Sequence, residues 1–575
     1  MATASLEGGP VLPGPETGRR PGRILGFSYA AVAFGLLVVI LPALRPPQPP
    51  PPPTAEYAPS VNNLKVPPPE QTSQSGQGPT GTGGGNTGGN PTATPPPTAS
   101  PSPTATGPTI QVPKIKHCVG NPARQTEDTQ SPPCINYWDG DNGGATYQGV
   151  TKDYIYVVFQ DESYNFITDM TAFFNDRYQF YGRKLVLLNG GGFCPSDPAG
   201  LQQKADGVAK THKYFASTSC NDIGGIEGYY YDELAHASPP MISVSERANV
   251  LTDAHYAKYA PYEWNYFPAQ DRIQDHLAEL ACAKLRGAAP AYTIPNLLFP
   301  PQRRFGVVNT KYTNAPDIDT TELFNKLQAC GIQVASQDRK EVDYTTAYPT
   351  DQNVVQEASA AAVQLNADHV TTVICVCHAQ TTQAMMEGAT GQNYSPEWVI
   401  STFGTNDYEP PQGHNQPEQQ WSHTIGVSFW NKWQPLADMP CYWAEHAANP
   451  SFNFQQSPFS EIGCQQDYNQ LLVLAAGIQM AGPILTPQTF AAGLERAHFP
   501  NPSSPYYEGG VGFNGDHTMV KDAALIWYDP STPGPYTYTA ATWCYVNHGA
   551  RVALGGYGSV NTSGTTGFQG RPCDP

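Results

Sequence analysis

A mainly parallel α/β fold is predicted by three observations. Short strands alternate with helices from Tyr154 to about Asp529, the strands are largely apolar, and the alternation falls into two blocks broken near Pro268 and Ser428. Strands joined through helices lie side by side in parallel and are covered on both faces, so they read as apolar runs. Their ligands collect at the carboxyl ends of the strands.

The elements follow in order. Tyr154–Phe159 is mostly apolar and opens the folded body, which starts near Tyr147. Lys184–Asn189 is the next strand, and Cys194-Pro-Ser-Asp-Pro-Ala-Gly opens a helix running to about Thr211. Tyr214–Ala216 and Pro239–Ser245 are strands, the second ending in hydroxyls, and Asp222–Asp232 between them reads as a Gly/Tyr-rich loop. Arg272–Leu285 is a helix with Ile273, Leu277, Leu280 and Ala281 on one face. Strand Phe305–Val308, helices Thr320–Ala329 and Val354–Leu365, strand Val370–Ile374 and helix Thr381–Glu387 follow. Trp398–Ser401 and Thr424–Phe429 are strands, and Tyr468–Met480 is a strongly apolar, buried helix.

With 575 residues, 39% of them hydrophobic, the chain can bury more than one core. Its net charge of -18 argues against nucleic acid as a partner, because phosphate contacts need clustered Lys and Arg. All 12 cysteines follow residue 117, on one side of an apolar segment, which reads as a disulfide set in an oxidising compartment. Zinc is the alternative, although no CxxC pair occurs.

That apolar segment, Ile24–Leu44, carries no charge over 21 residues and is long enough to span a bilayer. Arg19, Arg20 and Arg23 precede it and Arg45 alone follows, which places residues 1–23 in the cytoplasm. An uncleaved single-pass anchor with an extracytoplasmic body is expected; a cleaved signal peptide is the competing reading. Residues 45–109 are rich in Pro, Gly and Thr and cannot bury enough apolar surface to fold. They form a tether, spanning roughly 45 Å as a coil and up to ~200 Å extended. In 110–145, Cys118 and Cys134 take the place of a core.

Enzyme signatures are missing: there is no GxSxG, no HExxH and no GxxxxGK[ST]. Gly510–Gly515 fits GxGxxG but neither follows a strand nor opens a helix, so it reads as a turn before Met519–Trp527. Cys375-Val-Cys377-His378 ends a strand and could hold a soft metal or form a disulfide, with each other or with a distant partner such as Cys544. No cofactor and no catalytic residue are assigned.

Four segments carry a family resemblance: Gly182-Arg-Lys-Leu with Cys194 and Cys220; Met241-Ile-Ser; Arg304–Tyr312; and Asp467–Gly482. In this order and spacing the chain resembles the type I extracytoplasmic solute-binding proteins, the Leu/Ile/Val-binding family of ABC transporters. The resemblance implies two lobes joined by three chain crossings, lobe 1 from 146–267 and 428–517 and lobe 2 from 268–427 and 518–548, with 549–575 a tail. It implies a Cys194–Cys220 disulfide. Sequence-local pairs elsewhere would be Cys118–Cys134, Cys282–Cys330, Cys441–Cys464 and Cys544–Cys573.

For function the resemblance implies capture of a small molecule between the lobes and delivery to an ABC permease. The alternative is a ligand-sensing or cell-surface interaction protein that reuses the fold, since fold does not fix function. Ser243 stands where relatives bind an α-carboxylate, within a Ser243–Arg247 loop whose hydroxyls and N–H groups suit an anion. Ser245, Glu246 and Arg247 complete it; the last two are larger and charged where relatives are small, and a salt-bridged surface loop is the bland alternative. Tyr312, His378 and Asp407 follow other strands, as an aromatic contact, a cleft residue and a partner for an ammonium. Together they suit a small zwitterion or polar amide, more polar than leucine.

Overall fold

The chain divides into two units, Met1–Val66 and Pro67–Pro575. A computed structural model describes residues 117–560 and Cys573, apart from 121–122, 126–127, 129, 161–166, 191–193, 221–224, 249, 291–301, 313–314, 345–348, 409–416, 453–457, 498, 500–510, 514 and 535–539. The expected cytoplasmic tail, anchor and tether lie outside the described residues. Among the described residues no helix is long and apolar enough to cross a membrane.

A short hairpin, β1 (Cys118–Val119) and β2 (Arg124–Gln125), precedes the first α/β block. That block comprises β3 (Tyr154–Phe159), α1 (Ile167–Arg177), β4 (Lys184–Asn189), α2 (Pro198–Ala209), β5 (Ala216–Thr218), α3 (Gly228–His236), β6 (Ile242–Ser245), α4 (Asp253–Lys258) and β7 (Glu263–Asn265). Its five strands are all parallel, in the order β4-β3-β5-β6-β7. α2 starts sharply because Asp197 accepts a hydrogen bond from the Gly200 amide at 2.9 Å and Pro198 sits in the first turn.

The second block holds α5 (Gln270–Leu280), β8 (Phe305–Lys311), α6 (Thr321–Ala329), β9 (Arg339–Asp343), α7 (Gln352–Ala367), β10 (Thr372–Val376), α8 (Ala379–Gly391), β11 (Glu397–Ser401), α9 (Glu418–Trp421) and β12 (Thr424–Ser428). The chain then returns to the first sheet with α10 (Pro440–Ala448), α11 (Pro458–Ala481) and α12 (Pro487–Arg496). α10 packs on α1, and α11 lies against β6, β7 and α12. It re-enters the second sheet with β13 (Asp522–Pro533), β14 (Ala540–Tyr545) and β15 (Arg551–Ala553). That sheet runs β9-β8-β10-β11-β12 in parallel, then adds β13 antiparallel to β12, with β14 and β15 both on β13.

The two sheets are therefore joined three times, near 266–269, 429–434 and 517–521. The first and third connections lie side by side: the Asn265 amide donates to the His517 carbonyl at 3.0 Å, and the Met519 amide to the Asn265 carbonyl at 3.0 Å. Phe267 meets Trp430 of the second connection edge to face, centroids 4.8 Å apart. Asp128 and Gln130 reach the first and second connections and α11. Tyr266 donates to Gln130 at 2.8 Å, Gln130 donates to Asn431 at 3.3 Å, and the Tyr468 hydroxyl donates to buried Asp128.

Three expectations need correction. The strand read at Tyr214–Ala216 is Ala216–Thr218, the three residues that pair with Ile242–Val244 of β6, the first two also meeting Val157 and Val158 of β3. The Gly/Tyr-rich loop turns helical at Gly228, since Tyr230, Tyr231 and Leu234 fall on one buried face. Residues 551–559 are not a tail. β15 pairs with β13, Tyr557 is buried against His276, and its hydroxyl lies 2.6 Å from His276 Nδ1.

All 12 cysteines are paired: 118–134, 194–220, 282–330, 375–377, 441–464 and 544–573. The Cys375/Cys377 alternative is thus settled as a bond between the two, not a thiolate metal site.

Arg551 anchors the second connection. Its side chain is 1% exposed, pairs with Asp522 at 3.0 Å, and donates to the carbonyls of Ser428, Phe429 and Trp430. Arg551→Ala would leave Asp522 and three carbonyls buried without this donor. We expect a loss of about 3–5 kcal/mol in urea unfolding; a loss below ~1 kcal/mol would show that the connection holds without it.

Candidate functional site

A cavity lies between the two sheets, and every wall segment follows a strand. From the first sheet come Gly225 and Glu227 after β5, Arg247 and Ala248 after β6, and Phe267 after β7. From the second come Tyr312 after β8, His378 after β10, and Thr402, Gly404, Thr405 and Tyr408 after β11. Parallel strands with helical crossovers bring exactly these termini to one edge of each sheet.

Of the residues singled out from the sequence, Arg247, Tyr312 and His378 meet on this cavity. The other four stand behind its wall. Ser243 and Ser245 are buried within β6; Ser245 Oγ accepts from the Tyr231 hydroxyl at 3.2 Å and from the Arg247 amide at 3.3 Å. Glu246 turns inward, accepts from the Ser219 hydroxyl at 2.7 Å, and lies 3.3 Å from the Arg247 guanidinium. Asp407 accepts from the Thr402 hydroxyl at 2.7 Å, so two residues before it, Thr405 faces the cavity instead.

Glu246 is itself supported from α11. The Gln470 side-chain oxygen accepts from both the amide (3.0 Å) and the hydroxyl (3.2 Å) of Ser219, and Gln470 donates to Asp467 at 3.0 Å. The polar residues of the Asp467–Gly482 segment thus serve as a buried brace for the Glu246–Arg247 pair. Asn265 adds a bond to the Arg247 carbonyl at 2.7 Å.

The site's charges follow from burial. Desolvation works to lower the Arg247 pKa, but Tyr408, Glu246, Glu227 and Tyr231 outweigh it and hold the guanidinium charged. For His378, burial pushes the imidazole down to about 3, a contact with Gln380 opposes this, and Arg247 reinforces it, so the ring is neutral. Burial likewise lifts Asp407 to about 6 against the hydrogen bonds of Ser428 and Thr402. The Tyr408 phenol is raised by burial and stays protonated; it receives a hydrogen bond from Gln466 of α11.

Two glycines are required by close approach. Gly404 has φ +60, and a Cβ there would stand 2.4 Å from His378 Cα, so no side chain fits between the β10 and β11 termini. Gly225, at φ +73, would place a Cβ 3.2 Å from the Tyr312 ring of the opposite wall. Tyr312, Tyr344 and His378 form a row of rings, with centroids 5.2 and 4.6 Å apart. Glu227, Phe267, Thr402 and Tyr408 were not singled out from the sequence. Glu227 and Phe267 follow strands whose ends the sequence placed two to three residues differently or did not show.

A comparison with protein-family models finds no match, and one with curated proteins finds none either. Solved structures similar to this chain include an ABC-transporter substrate-binding protein of Aeropyrum pernix (12% identity, 65% of this chain and 92% of that one, TM-score 0.47). A Leu-, Ile-, Val-, Thr- and Ala-binding protein of Brucella ovis, in a closed conformation, has 12% identity over 70% of this chain and 96% of that one, TM-score 0.48. A solute-binding protein of an ABC transporter from Rhodopseudomonas palustris, in complex with 3,4-dihydroxybenzoic acid, has 8% identity over 70% and 96%, TM-score 0.45.

The neutral state of His378 has a consequence for stability. An unfolded histidine takes up its proton near pH 6.5, whereas the buried ring resists until about 3. Its stabilising contribution is therefore complete above about 6.5 and is lost as the pH falls toward about 3. His378→Gln should flatten that limb of the stability–pH profile measured by urea unfolding. Asp407 acts in the opposite sense between about 3.9 and 6, and its share should remain. An unchanged limb in the variant would show that His378 is not buried neutral.

Proposed function

We propose that the body is a solute-binding protein that captures a small polar ligand between its two lobes, Arg247 engaging an anionic or carbonyl group. The observation that carries this reading is the cavity itself. It lies where strand ends of both sheets converge, and its wall combines one braced cation with Glu227, three phenol or phenyl rings and two threonines. Arg247 suits a carboxylate or amide oxygen, Glu227 an ammonium or amide N–H, and Tyr312, Tyr408 and Phe267 the apolar part. A neutral His378 offers a hydrogen bond without adding charge. The ligand class is a zwitterion or polar amide, larger or more polar than leucine, because the wall sets the charged Arg247 and Glu227 beside it.

Hinge closure around the ligand is supported by three thin connections and by wall contacts that cross from one sheet to the other, such as Gly225 against Tyr312. Anchoring through 24–44 rests on the apolar length and the flanking arginines of that segment, and delivery to an ABC permease on the sequence resemblance. On this reading the tether holds the body away from the membrane.

A thermal-shift screen of amino acids, amides, peptides and aromatic acids should find a ligand that raises the melting temperature; occupancy at 100 times Kd is worth about 2.7 kcal/mol. Arg247→Lys keeps the charge but loses the planar fork. It should weaken binding at least about tenfold while changing the unliganded stability little. Unchanged affinity in that variant would mean the ligand binds elsewhere, and tight binding of leucine, isoleucine or valine would refute the polar ligand class.

A further inference from the structure

We propose that Asp232, His255 and Glu263 form a binding site for one divalent transition-metal cation, zinc foremost. The three come from α3, α4 and the first residue of β7, on the first sheet and apart from the cavity wall. His255 Nε2 lies 2.8 Å from Glu263 Oε2 and 3.1 Å from Asp232 Oδ1, and one ligand atom from each residue falls within 4.8 Å of the others. Zinc bonds of about 2.0–2.2 Å at tetrahedral angles separate neighbouring ligand atoms by about 3.3–3.6 Å. The two pairs that His255 makes need open by only about half an ångström to admit the ion, leaving a further position for water.

A second observation points the same way. The Glu263 side chain is 1% exposed, and its Oε1 has no hydrogen-bond partner. A buried carboxylate oxygen of this kind calls for a cation. Charge balance agrees. A protonated His255 brings one positive charge to two carboxylates, whereas a divalent ion with neutral imidazole cancels both. The surroundings hold the ligands in place: Tyr259 donates to Asp232 Oδ2 at 2.8 Å and itself accepts from Lys258 at 2.8 Å. α3 also starts one residue after Glu227, so an ion at Asp232 would brace the helix that ends on the cavity.

The test uses the purified full-length chain after chelator treatment. Zinc titrated against a chromogenic chelator at pH 7.5 should bind one ion per chain, with release of protons to the buffer. Cobalt should give the visible absorption of a four- or five-coordinate ion. Asp232→Asn and His255→Gln should each weaken zinc at least about thirtyfold and remove the cobalt band. Zinc uptake equal in wild type and variants would overturn the site, assigning the metal to other histidines. Should the variants fail to fold, the wild-type cobalt spectrum decides: an octahedral spectrum, or none, would leave His255 as a protonated bridge between two carboxylates.

Discussion

The geometry of this molecule depends on one buried guanidinium. Arg551 is removed from water at a cost of several kcal/mol, and that cost is offset where the chain leaves the second sheet for the first. Asp522, the residue that follows the third connection, supplies the charge, and the carbonyls of Ser428, Phe429 and Trp430 supply the acceptors. The same peptide reaches the cavity. The Phe429 amide donates to Thr402 Oγ1 at 2.7 Å, and that hydroxyl donates to Asp407. Fixing the connection therefore fixes the β11 terminus, and with it Thr405 and Tyr408 on the wall.

The cavity is built by the same device at smaller scale. Arg247 on the wall is held by buried polar residues further in. Glu246 holds Arg247, Ser219 and Gln470 hold Glu246, and Asp467 holds Gln470. Across the cavity, Asn406 donates to the Cys377 and Phe403 carbonyls at 2.6 and 2.9 Å, fixing the turn that carries Gly404 against His378. Such networks fix the wall in advance, so a ligand bound as proposed would lose less entropy on binding. They also separate the charges: Arg247 stays ionised and His378 stays neutral within one small volume.

Some of this was legible along the chain and some was not. Tyr154–Phe159 is a strand with the bounds expected, because a strand buried on both faces must be apolar throughout. Lys184–Asn189, an edge strand, also has the bounds expected and buries Leu185 and Leu187 in alternation. α5 reads from its apolar face in the same way. Short or edge elements left weaker traces. β7 is three residues, β9 is half exposed, and β15 is three residues whose partner lies about 30 positions earlier. α3 hid behind glycines and tyrosines, which are poor helix formers, and is held by burying Tyr230, Tyr231 and Leu234.

The site divides along the same line. By itself the sequence determined the parallel α/β architecture and which strand ends carry polar residues, because periodicity and burial are local and each strand records its own environment. With the family resemblance added, it pointed to Arg247, Tyr312 and His378. Only the tertiary structure decided which side chain of each turn faces the cavity. Glu246 points inward because Ser219 awaits it there, and Asp407 turns back because Thr402 and the Trp433 indole, which donates to the Asp407 carbonyl at 3.2 Å, engage it. Those partners lie 5 to 27 residues away. Pairing of buried polar groups is a matter of contact in space, and no spacing in the chain records it.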